Sequence, residues 1–226
     1  MIYAIGDIHG RSDHLLGALL AIKADARTHG IVRPRTVFLG DYIDRGNDSK
    51  GVLDLLTSPR MEEFDPVFLT GNHDLTLILI LRGEKAGEWI FEGGAATVRS
   101  YGIETDNRDP DDYLAELRKT VPASHRRFLA NLDLCHAEDG MFFSHAGIDP
   151  AFPLDASQPF EALVYGKRAF LEAAPTWDGC VVHGHWAKEK PVLDKNRACL
   201  DAGCGYPWGR LMVAAFENGT TRLLMP

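Results

Sequence analysis

Three short polar clusters in the first third of the chain each begin with a glycine that follows an apolar segment. They read GDIHG from Gly6, GDYIDRG from Gly40 and GNHD from Gly71. Asp7 and His9 are two residues apart, so in an extended segment both side chains leave the same face. Carboxylate, amide and imidazole donors together suit manganese, iron or zinc, whereas calcium prefers oxygen donors alone. The three clusters therefore predict a metal site.

Two further clusters in the last third of the chain are rich in histidine. SHAG contains His145, and VHGHW contains His183 and His185 at the end of an apolar segment. Of two residues two apart on a strand, one can bind the metal and the other can pack behind it. His183 can therefore be either a ligand or a residue packed behind the ligand. Five of the nine histidines lie in the five clusters, namely His9, His73, His145, His183 and His185.

Alternating strands and helices are predicted to bring the first three clusters together. Asp7 and Asp41 are 34 residues apart and Asp41 and Asn72 are 31 apart, each close to the length of one βαβ unit. The carboxyl ends of parallel strands share one sheet edge, where ligands bind in open α/β sheets. Apolar periodicity predicts strands at 2–6, 36–39 and 66–69 and helices at 12–30, 50–56 and 72–81.

The remainder of the chain predicts one domain over residues 1–226 with a cap-like excursion at 83–131. Trp89, Phe91 and Tyr101 in this excursion could rim the site and stack a base, or pack a cap over the sheet, which is the favoured use. Helices are predicted at 112–120, 123–131 and 160–173, a hairpin at 132–147 that turns near 138–140, and mostly antiparallel strands at 179–183, 197–200, 210–216 and 220–224.

Composition excludes several classes of protein. Lysine and arginine total 24 against 32 acidic residues, so the net charge is −8, and no nucleic acid is expected as a structural partner. No apolar run is long enough to span a bilayer and no signal peptide is recognised, so a cytoplasmic protein without a membrane partner is expected. The four cysteines form no CxxC pair and are expected to be reduced; a separate zinc site from Cys180, Cys199 and Cys204 is a weaker alternative.

The five clusters in this order resemble the phosphoprotein phosphatase branch of the calcineurin-like metallophosphoesterases, in particular the short bacterial serine/threonine phosphatases. The segment from Trp89 through GGAATVRSYG, and NRACLDAGCGYPWGRL near the end, are also similar to symmetrical diadenosine tetraphosphatases. The resemblance implies an α/β fold, a four-layer α/β/β/α sandwich with mixed sheets and two metals at its edge. One metal would take Asp7, His9 and a shared Asp41, and the other Asp41, Asn72, His145 and His185.

Two divalent ions, manganese or else iron or zinc, would clamp the phosphoryl oxygens and supply a bound hydroxide for in-line attack on phosphorus. His73, beside the ligand Asn72, is the candidate proton donor to the leaving group, and Asp44 would hold its imidazole. Arg45 can fork two phosphate oxygens. Arg11 is a lesser candidate for the same role.

Three positions depart from the pattern of that branch. Thr70 stands where an arginine is common, and Asp74 stands where glutamate is usual. In YGKRAF the phosphate-binding role can fall to Lys167 or Arg168. These departures affect the expected substrate more than the expected reaction.

The sequence favours a metal-dependent phosphomonoester hydrolase that acts on phosphorylated protein or on a small phosphoester. A serine/threonine protein phosphatase is the leading hypothesis, because no P-loop or GxGxxG pattern offers a nucleotide cradle. A symmetrical diadenosine tetraphosphatase is the enzymatic alternative. A scaffold that has lost catalysis is disfavoured, since every matched ligand position is filled.

Overall fold

The computed structural model describes residues 1–84, 87–172 and 174–224, and β-strands run through its centre. The strands are β1 (Ile2–Ile5), β2 (Arg35–Phe38), β3 (Asp65–Phe68), β4 (Cys135–Glu138), β5 (Met141–Ser144), β6 (Cys180–His183), β7 (Val192–Leu193), β8 (Arg197–Cys199), β9 (Asp201–Ala202), β10 (Arg210–Leu211), β11 (Val213–Glu217) and β12 (Thr220–Leu224).

Helices connect and cover these strands. They are α1 (Ser12–Thr28), α2 (Ser49–Leu56), α3 (Asn72–Leu81), α4 (Ala95–Ser100), α5 (Pro110–Thr120), α6 (Ala123–Ala130), α7 (Phe160–Val164) and α8 (Arg168–Glu172), with a 3₁₀ turn at Pro59–Glu63 and a π turn at Ile90–Gly94. No helix in the described part of the chain is long and apolar enough to cross a membrane.

The first sheet has the strand order β12-β11-β1-β2-β3. Its strands β1, β2 and β3 are parallel, as the βαβ spacing predicts, and β11 pairs antiparallel with β1. The carboxyl ends of β1, β2 and β3 therefore lie at one edge, and the clusters that follow them begin there.

The second sheet has the order β4-β5-β6-β8-β7. Its outer pairs, β4 with β5 and β7 with β8, are antiparallel as predicted. Its central pairs are parallel, which corrects the expectation of antiparallel strands for this part of the sheet. The physical reason is the long connection from β5 to β6 through α7 and α8, because parallel neighbours need such a crossover.

The two sheets pack face to face between two layers of helices. Ile2 and Ala4 of β1 face a buried cluster shared with Phe143 of β5, while Tyr3 and Ile5 face the cluster under α1 and α2. This alternation follows from the two-residue period of a strand. On the outer side of the second sheet, α7 and α8 cover a third cluster. The layers form the α/β/β/α sandwich expected from the resemblance.

Two predicted elements are interrupted in the structure. The helix predicted at 160–173 is two short helices, because Gly166 between them has a φ of 76° that ends a right-handed helix; residue 173 lies outside the described residues. The strand predicted at 210–216 breaks at Met212, whose carbonyl accepts a hydrogen bond from the Gly6 amide at 3.0 Å. The pattern of apolar residues in the sequence predicts neither break.

Helix α1 begins where it is predicted to begin but ends earlier. Ser12 is its first helical residue, as predicted, and the Ser12 hydroxyl donates to the Asp48 carboxylate. The helix ends at Thr28, and Gly30 follows at a φ of 70°. The predicted stop is therefore displaced by two residues.

Candidate metal centre

Backbone hydrogen bonds join the loops that carry the polar clusters. The amides of Ile8 and His9 donate to the Asp41 carbonyl at 3.0 and 2.9 Å. The Gly184 amide donates to the His145 carbonyl at 2.8 Å, which joins the two clusters of the second sheet. These contacts bring the clusters of each sheet to the same end of the sandwich.

Asp74 fixes the position of the second cluster against the third. Its buried carboxylate accepts hydrogen bonds from the backbone amides of Asp41, Tyr42 and Gly71 at 2.7, 2.9 and 3.0 Å. Gly40 lies between these loops at a φ of 97°, where a Cβ would be 2.5 Å from the Gly71 amide. A glycine is therefore required at position 40 for the two loops to meet.

Left-handed backbone conformations concentrate at this site. Eight non-glycine residues in the described ranges have a positive φ, and five of these belong to the polar clusters. Such conformations cost free energy and are retained where the surrounding structure holds them, most often at functional sites. The five are His9, Asp41, Asp44, Arg45 and His185.

Asp41 lies at the centre of the site. The Nε2 atoms of His9 and His145 each lie 3.5 Å from its Oδ2 atom. The Nδ1 atoms of the same two rings donate to the carbonyls of Ile43 and Leu39, both at 2.9 Å. Because Nδ1 carries the proton, each Nε2 presents a lone pair to the site, as a metal ligand must.

Asn72 and His185 complete the side of the site that contains His145. The Asn72 Oδ1 atom lies 2.9 Å from Nδ1 of His185 and 3.1 Å from Nε2 of His145. Asp7 lies beside them, since its carboxylate accepts a hydrogen bond from the His185 amide at 3.1 Å. The structure therefore brings all six predicted metal ligands to one place.

Burial and mutual charge set the ionisation of these groups. Burial lowers the pKa of His9 to about 3 and that of His185 to about 4, so both rings are neutral and can donate a lone pair. Burial alone would raise the pKa of Asp41, but the neighbouring imidazoles, His145 first and then the charged His73, outweigh it and hold the pKa below its usual value. Burial, followed by the charges of Asp201 and Asp41, raises the pKa of Asp7.

His73 forms a buried pair with Asp44. Its Nδ1 lies 2.6 Å from Oδ2 of Asp44. Burial alone would lower the pKa of His73, but the Asp41 and Asp44 carboxylates outweigh it and raise the pKa to about 9. His73 also offers a donor atom within 4.8 Å of those of His9 and Asp41. The geometry therefore permits two roles for His73, that of a proton donor and that of a further metal ligand.

Arg45 lies over the same region. Its guanidinium contacts the His9 ring, lies 3.1 Å from Nε2 of His73 and sits 4.8 Å from the centre of the Tyr206 ring. Tyr206 stacks in turn on Trp208, with ring centres 5.4 Å apart. A cleft of about 500 Å³ opens beside them; its lining includes Arg45, Asn72, His73, Phe91, Glu92, Gly93 and Tyr206.

The other three predicted phosphate-binding residues lie elsewhere. Arg11 donates to the Asp13 carboxylate at 2.8 and 2.7 Å, and Lys167 donates to Asp149 at 2.6 Å. Arg168 is exposed at the start of α8. Within the described ranges, no hydrogen bond or ion pair joins any of the three to the donor cluster, and their phosphate-binding roles stay predictions.

His183 and the cysteines lie outside the donor cluster. The His183 ring is fully buried against Phe170, with ring centres 5.1 Å apart, and burial lowers its pKa to about 3. Cys180, Cys199 and Cys204 belong to neither three-donor cluster found among the described residues. The weaker zinc alternative is therefore wrong for that part of the chain. His183 packs against Phe170 and belongs to neither donor cluster.

Sequence reasoning missed three interactions at the site. The indole of Trp89 and the hydroxyl of Thr97 both donate to the Asp44 carboxylate, at 2.6 and 2.5 Å. Asp201 is buried, and its charge raises the pKa of Asp7. Trp89 was considered only for base stacking or for packing of the cap, and Thr97 lies within the segment quoted for the family resemblance, which is the signal that could have drawn attention to it.

The donor set fits a pair of divalent cations that share Asp41. Oδ1 of Asn72 and Nε2 of His145 are both lone-pair atoms, yet they lie 3.1 Å apart, an arrangement that a shared cation stabilises. Two groups of three donors have their atoms within 4.8 Å of one another, and Asp41 belongs to both. Neutral imidazole with carboxylate and amide oxygen suits manganese, iron or zinc.

The chain belongs to the calcineurin-like phosphoesterase family, whose family model matches residues 1–220. This confirms the wider calcineurin-like family and the fold class predicted from the sequence, while the phosphoprotein phosphatase branch stays a prediction. A symmetrical bis(5'-nucleosyl)-tetraphosphatase of Methylobacillus flagellatus is 32% identical over 149 residues, which are 66% of this chain and 43% of that protein. Another from Nitrosospira multiformis is 27% identical over 165 residues, 72% of this chain and 49% of that protein. The chain spans about half the length of these curated relatives.

Solved structures share the fold at low sequence identity. A crystal structure of a proposed diadenosine tetraphosphatase has a TM-score of 0.68 at 22% identity, with 99% of this chain and 92% of that chain covered. The cold-active protein-tyrosine phosphatase of a psychrophilic Shewanella species has a TM-score of 0.59 at 18% identity, with coverages of 99% and 80%. These similarities concern the fold alone.

Proposed function

We propose that this protein is a metal-dependent hydrolase of dinucleoside tetraphosphates that cleaves them symmetrically. Its curated relatives are named as symmetrical bis(5'-nucleosyl)-tetraphosphatases. The structural observation that carries the proposal is the cleft beside Asn72 and His73, which combines the Arg45 guanidinium with aromatic side chains. The serine/threonine phosphatase hypothesis, favoured by the sequence alone, becomes the second candidate.

The cleft has the chemistry that a nucleoside polyphosphate needs. Arg45 offers a guanidinium fork for phosphate oxygens beside the donor cluster. Phe91 and Tyr206 lie along the same cleft, and Phe91 is 90% exposed. An exposed aromatic ring is available to stack on a base, and such stacking contributes about 1 to 3 kcal/mol. The absence of a GxGxxG motif therefore does not exclude a nucleotide substrate.

Asp7, His9 and Asp41 would hold one divalent ion, and Asp41, Asn72, His145 and His185 the other. Two bound ions would polarise the phosphoryl oxygens and activate the attacking water. In a symmetrical cleavage, water adds to one of the two central phosphorus atoms, the bridging P–O bond breaks, and two nucleoside diphosphates result. His73, held by Asp44, would present a proton to the departing oxygen, and Arg45 would bind phosphate oxygens that become more negative.

Product analysis tests this function. Manganese-reconstituted protein is incubated with diadenosine tetraphosphate, a phosphoserine peptide panel and 4-nitrophenyl phosphate, and the products are separated by anion-exchange chromatography. We expect ADP as the sole nucleotide product from diadenosine tetraphosphate, with a kcat/KM above that for every phosphopeptide. ATP plus AMP would indicate asymmetrical cleavage, and a higher kcat/KM for a phosphopeptide would favour the second candidate.

A further inference from the structure

Besides its pair with His73, the Asp44 carboxylate receives two side-chain hydrogen bonds from the segment 89–97. Trp89 donates its indole N–H to Oδ2 at 2.6 Å, the same oxygen that faces Nδ1 of His73. Thr97 donates its hydroxyl to Oδ1 at 2.5 Å, and its oxygen accepts the Asp44 amide at 3.0 Å. Both carboxylate oxygens and the backbone of Asp44 are therefore held by the segment 89–97.

Two glycines allow this segment to lie against the Asp44 loop. A Cβ at Gly94 would overlap the Trp89 ring. Gly93 has a φ of 118°, its carbonyl accepts the Arg45 amide at 3.2 Å, and a Cβ there would be 2.7 Å from that amide nitrogen. The segment thus packs backbone against backbone, and Trp89 is only 2% exposed.

The geometry points to Trp89 and Thr97 as positioning residues that hold Asp44 so that it orients the His73 ring for proton transfer. This inference rests on the proposed role of His73 as the proton donor. A carboxylate with free rotation would leave the ring without a fixed partner, whereas one held at both oxygens keeps a single orientation. The excursion at 83–131 therefore supplies part of the catalytic apparatus in addition to packing.

The contacts also predict what these two residues leave unaffected. Within the described ranges, no hydrogen bond of Trp89 or Thr97 reaches any of the six predicted metal ligands. Replacing either residue should therefore change the proton transfer and leave metal binding intact. Proton donation matters most when the leaving group is an alkoxide and little when it is nitrophenolate.

The test compares Trp89→Phe and Thr97→Val on glycerol 2-phosphate and on 4-nitrophenyl phosphate. Each variant should lower kcat on the alkyl ester about tenfold, a usual loss for an outer partner of a functional side chain. We expect a loss below about threefold on the aryl ester, with KM and metal content unchanged. Thr97→Ser keeps the hydroxyl and should restore what Thr97→Val loses. If Trp89→Phe does not fold, the Thr97 pair carries the same test.

Trp177→Phe is the matched control, because it removes an indole hydrogen bond, 3.1 Å to the Asn196 carbonyl, at a site remote from Asp44. It should leave the ratio of the two kcat values unchanged. Adding Trp89→Phe to His73→Asn should cause no further loss on the alkyl ester, because both act through one proton transfer. A further loss, or equal losses on both esters in Trp89→Phe, would overturn the inference. Equal losses in His73→Asn itself would instead overturn the proposed proton donor.

Discussion

His9 and His145 follow strands of different sheets, yet the Nε2 atoms of both rings lie 3.5 Å from a single oxygen of Asp41. Each ring is held by an Nδ1 hydrogen bond to a backbone carbonyl, of Ile43 and Leu39 respectively. The site is thus formed across the join between the two sheets. Its integrity depends on how the sheets pack as well as on the ligands themselves.

Asp41 should affect metal content more than any other ligand. Because both donor clusters contain Asp41, Asp41→Asn should lower occupancy of both metal positions, while His9→Ala and His145→Ala should each weaken mainly one. The measurement is metal per chain by mass spectrometry after dialysis against limiting manganese. Chelation should abolish hydrolysis of diadenosine tetraphosphate, and manganese should restore it. Equal metal content in the three variants would contradict a shared Asp41.

Asp74 should contribute strongly to stability. Its carboxylate accepts three backbone amides, and Asp74→Ala leaves those buried donors without a partner, which should lower the free energy of unfolding by about 3 kcal/mol. Urea denaturation of metal-free protein measures the change. Glu189→Ala is the control, since Glu189 is exposed and should change stability by less than about 0.5 kcal/mol. A similarly small change in Asp74→Ala would show that water replaces the carboxylate.

The three-way contact of Asp25 predicts a pH-dependent stability. Arg222 donates to the Asp25 carboxylate at 2.7 and 2.9 Å, and Tyr3 donates to it at 2.8 Å. These hydrogen bonds lower the pKa of Asp25 below 3.8, and those from Arg222 have the larger effect. A lowered folded-state pKa stabilises the fold above pH 3.8 and loses that effect as the pH falls below it.

Asp25→Asn should therefore be less stable than the wild type at pH 7, by about 1 kcal/mol because the pair is partly exposed. The difference in free energy of unfolding between the wild type and Asp25→Asn should become smaller as the pH falls below 3.8. Urea denaturation at several pH values follows it. A difference that stays constant down to the lowest pH would assign the effect to packing.

His73→Asn separates a proton donor from a metal ligand. As a donor variant it should lose about 10²- to 10⁴-fold in kcat on glycerol 2-phosphate. The loss should be smaller on 4-nitrophenyl phosphate and on diadenosine tetraphosphate, whose leaving groups depart as stable anions. Metal content should stay at the wild-type value. Loss of one metal per chain would identify His73 as a ligand, a role that its position within 4.8 Å of the donors of His9 and Asp41 also permits.

The sequence predicted the strand-end clusters because strands and βαβ units have regular spacing. Residues such as Asp7, Asp41 and Asn72 follow their strands directly, so their convergence follows from topology. The bond between Trp89 and Asp44 joins residues 45 apart in sequence through a loop and a π turn, where no period applies. Side-chain direction in such a segment depends on packing, which composition does not encode.

The leading substrate hypothesis from the sequence differs from the one that the names of the relatives favour. The absence of a glycine-rich cradle favoured phosphomonoesters, whereas the relatives are named for dinucleoside tetraphosphates. Stacking on exposed rings needs no motif. Of the aromatic residues singled out in the excursion, Trp89 and Tyr101 are buried as predicted, but Phe91 is exposed beside the cleft.

Phe91 should therefore distinguish nucleotide from simple phosphoester substrates. Its ring is 90% exposed at the cleft, and Phe91→Ala removes the stacking surface without disturbing a buried contact. Loss of one stacked base at about 1 to 3 kcal/mol corresponds to a rise of roughly 5- to 150-fold in KM for diadenosine tetraphosphate. The KM for 4-nitrophenyl phosphate, which has no base, should stay at the wild-type value, and Phe91→Trp should keep the affinity for the dinucleotide.

Val32→Ala, at a residue 81% exposed outside the cleft, serves as the control and should alter neither KM. If Phe91→Ala raises both KM values equally, Phe91 shapes the cleft rather than binding a base; if it raises neither, the base lies elsewhere.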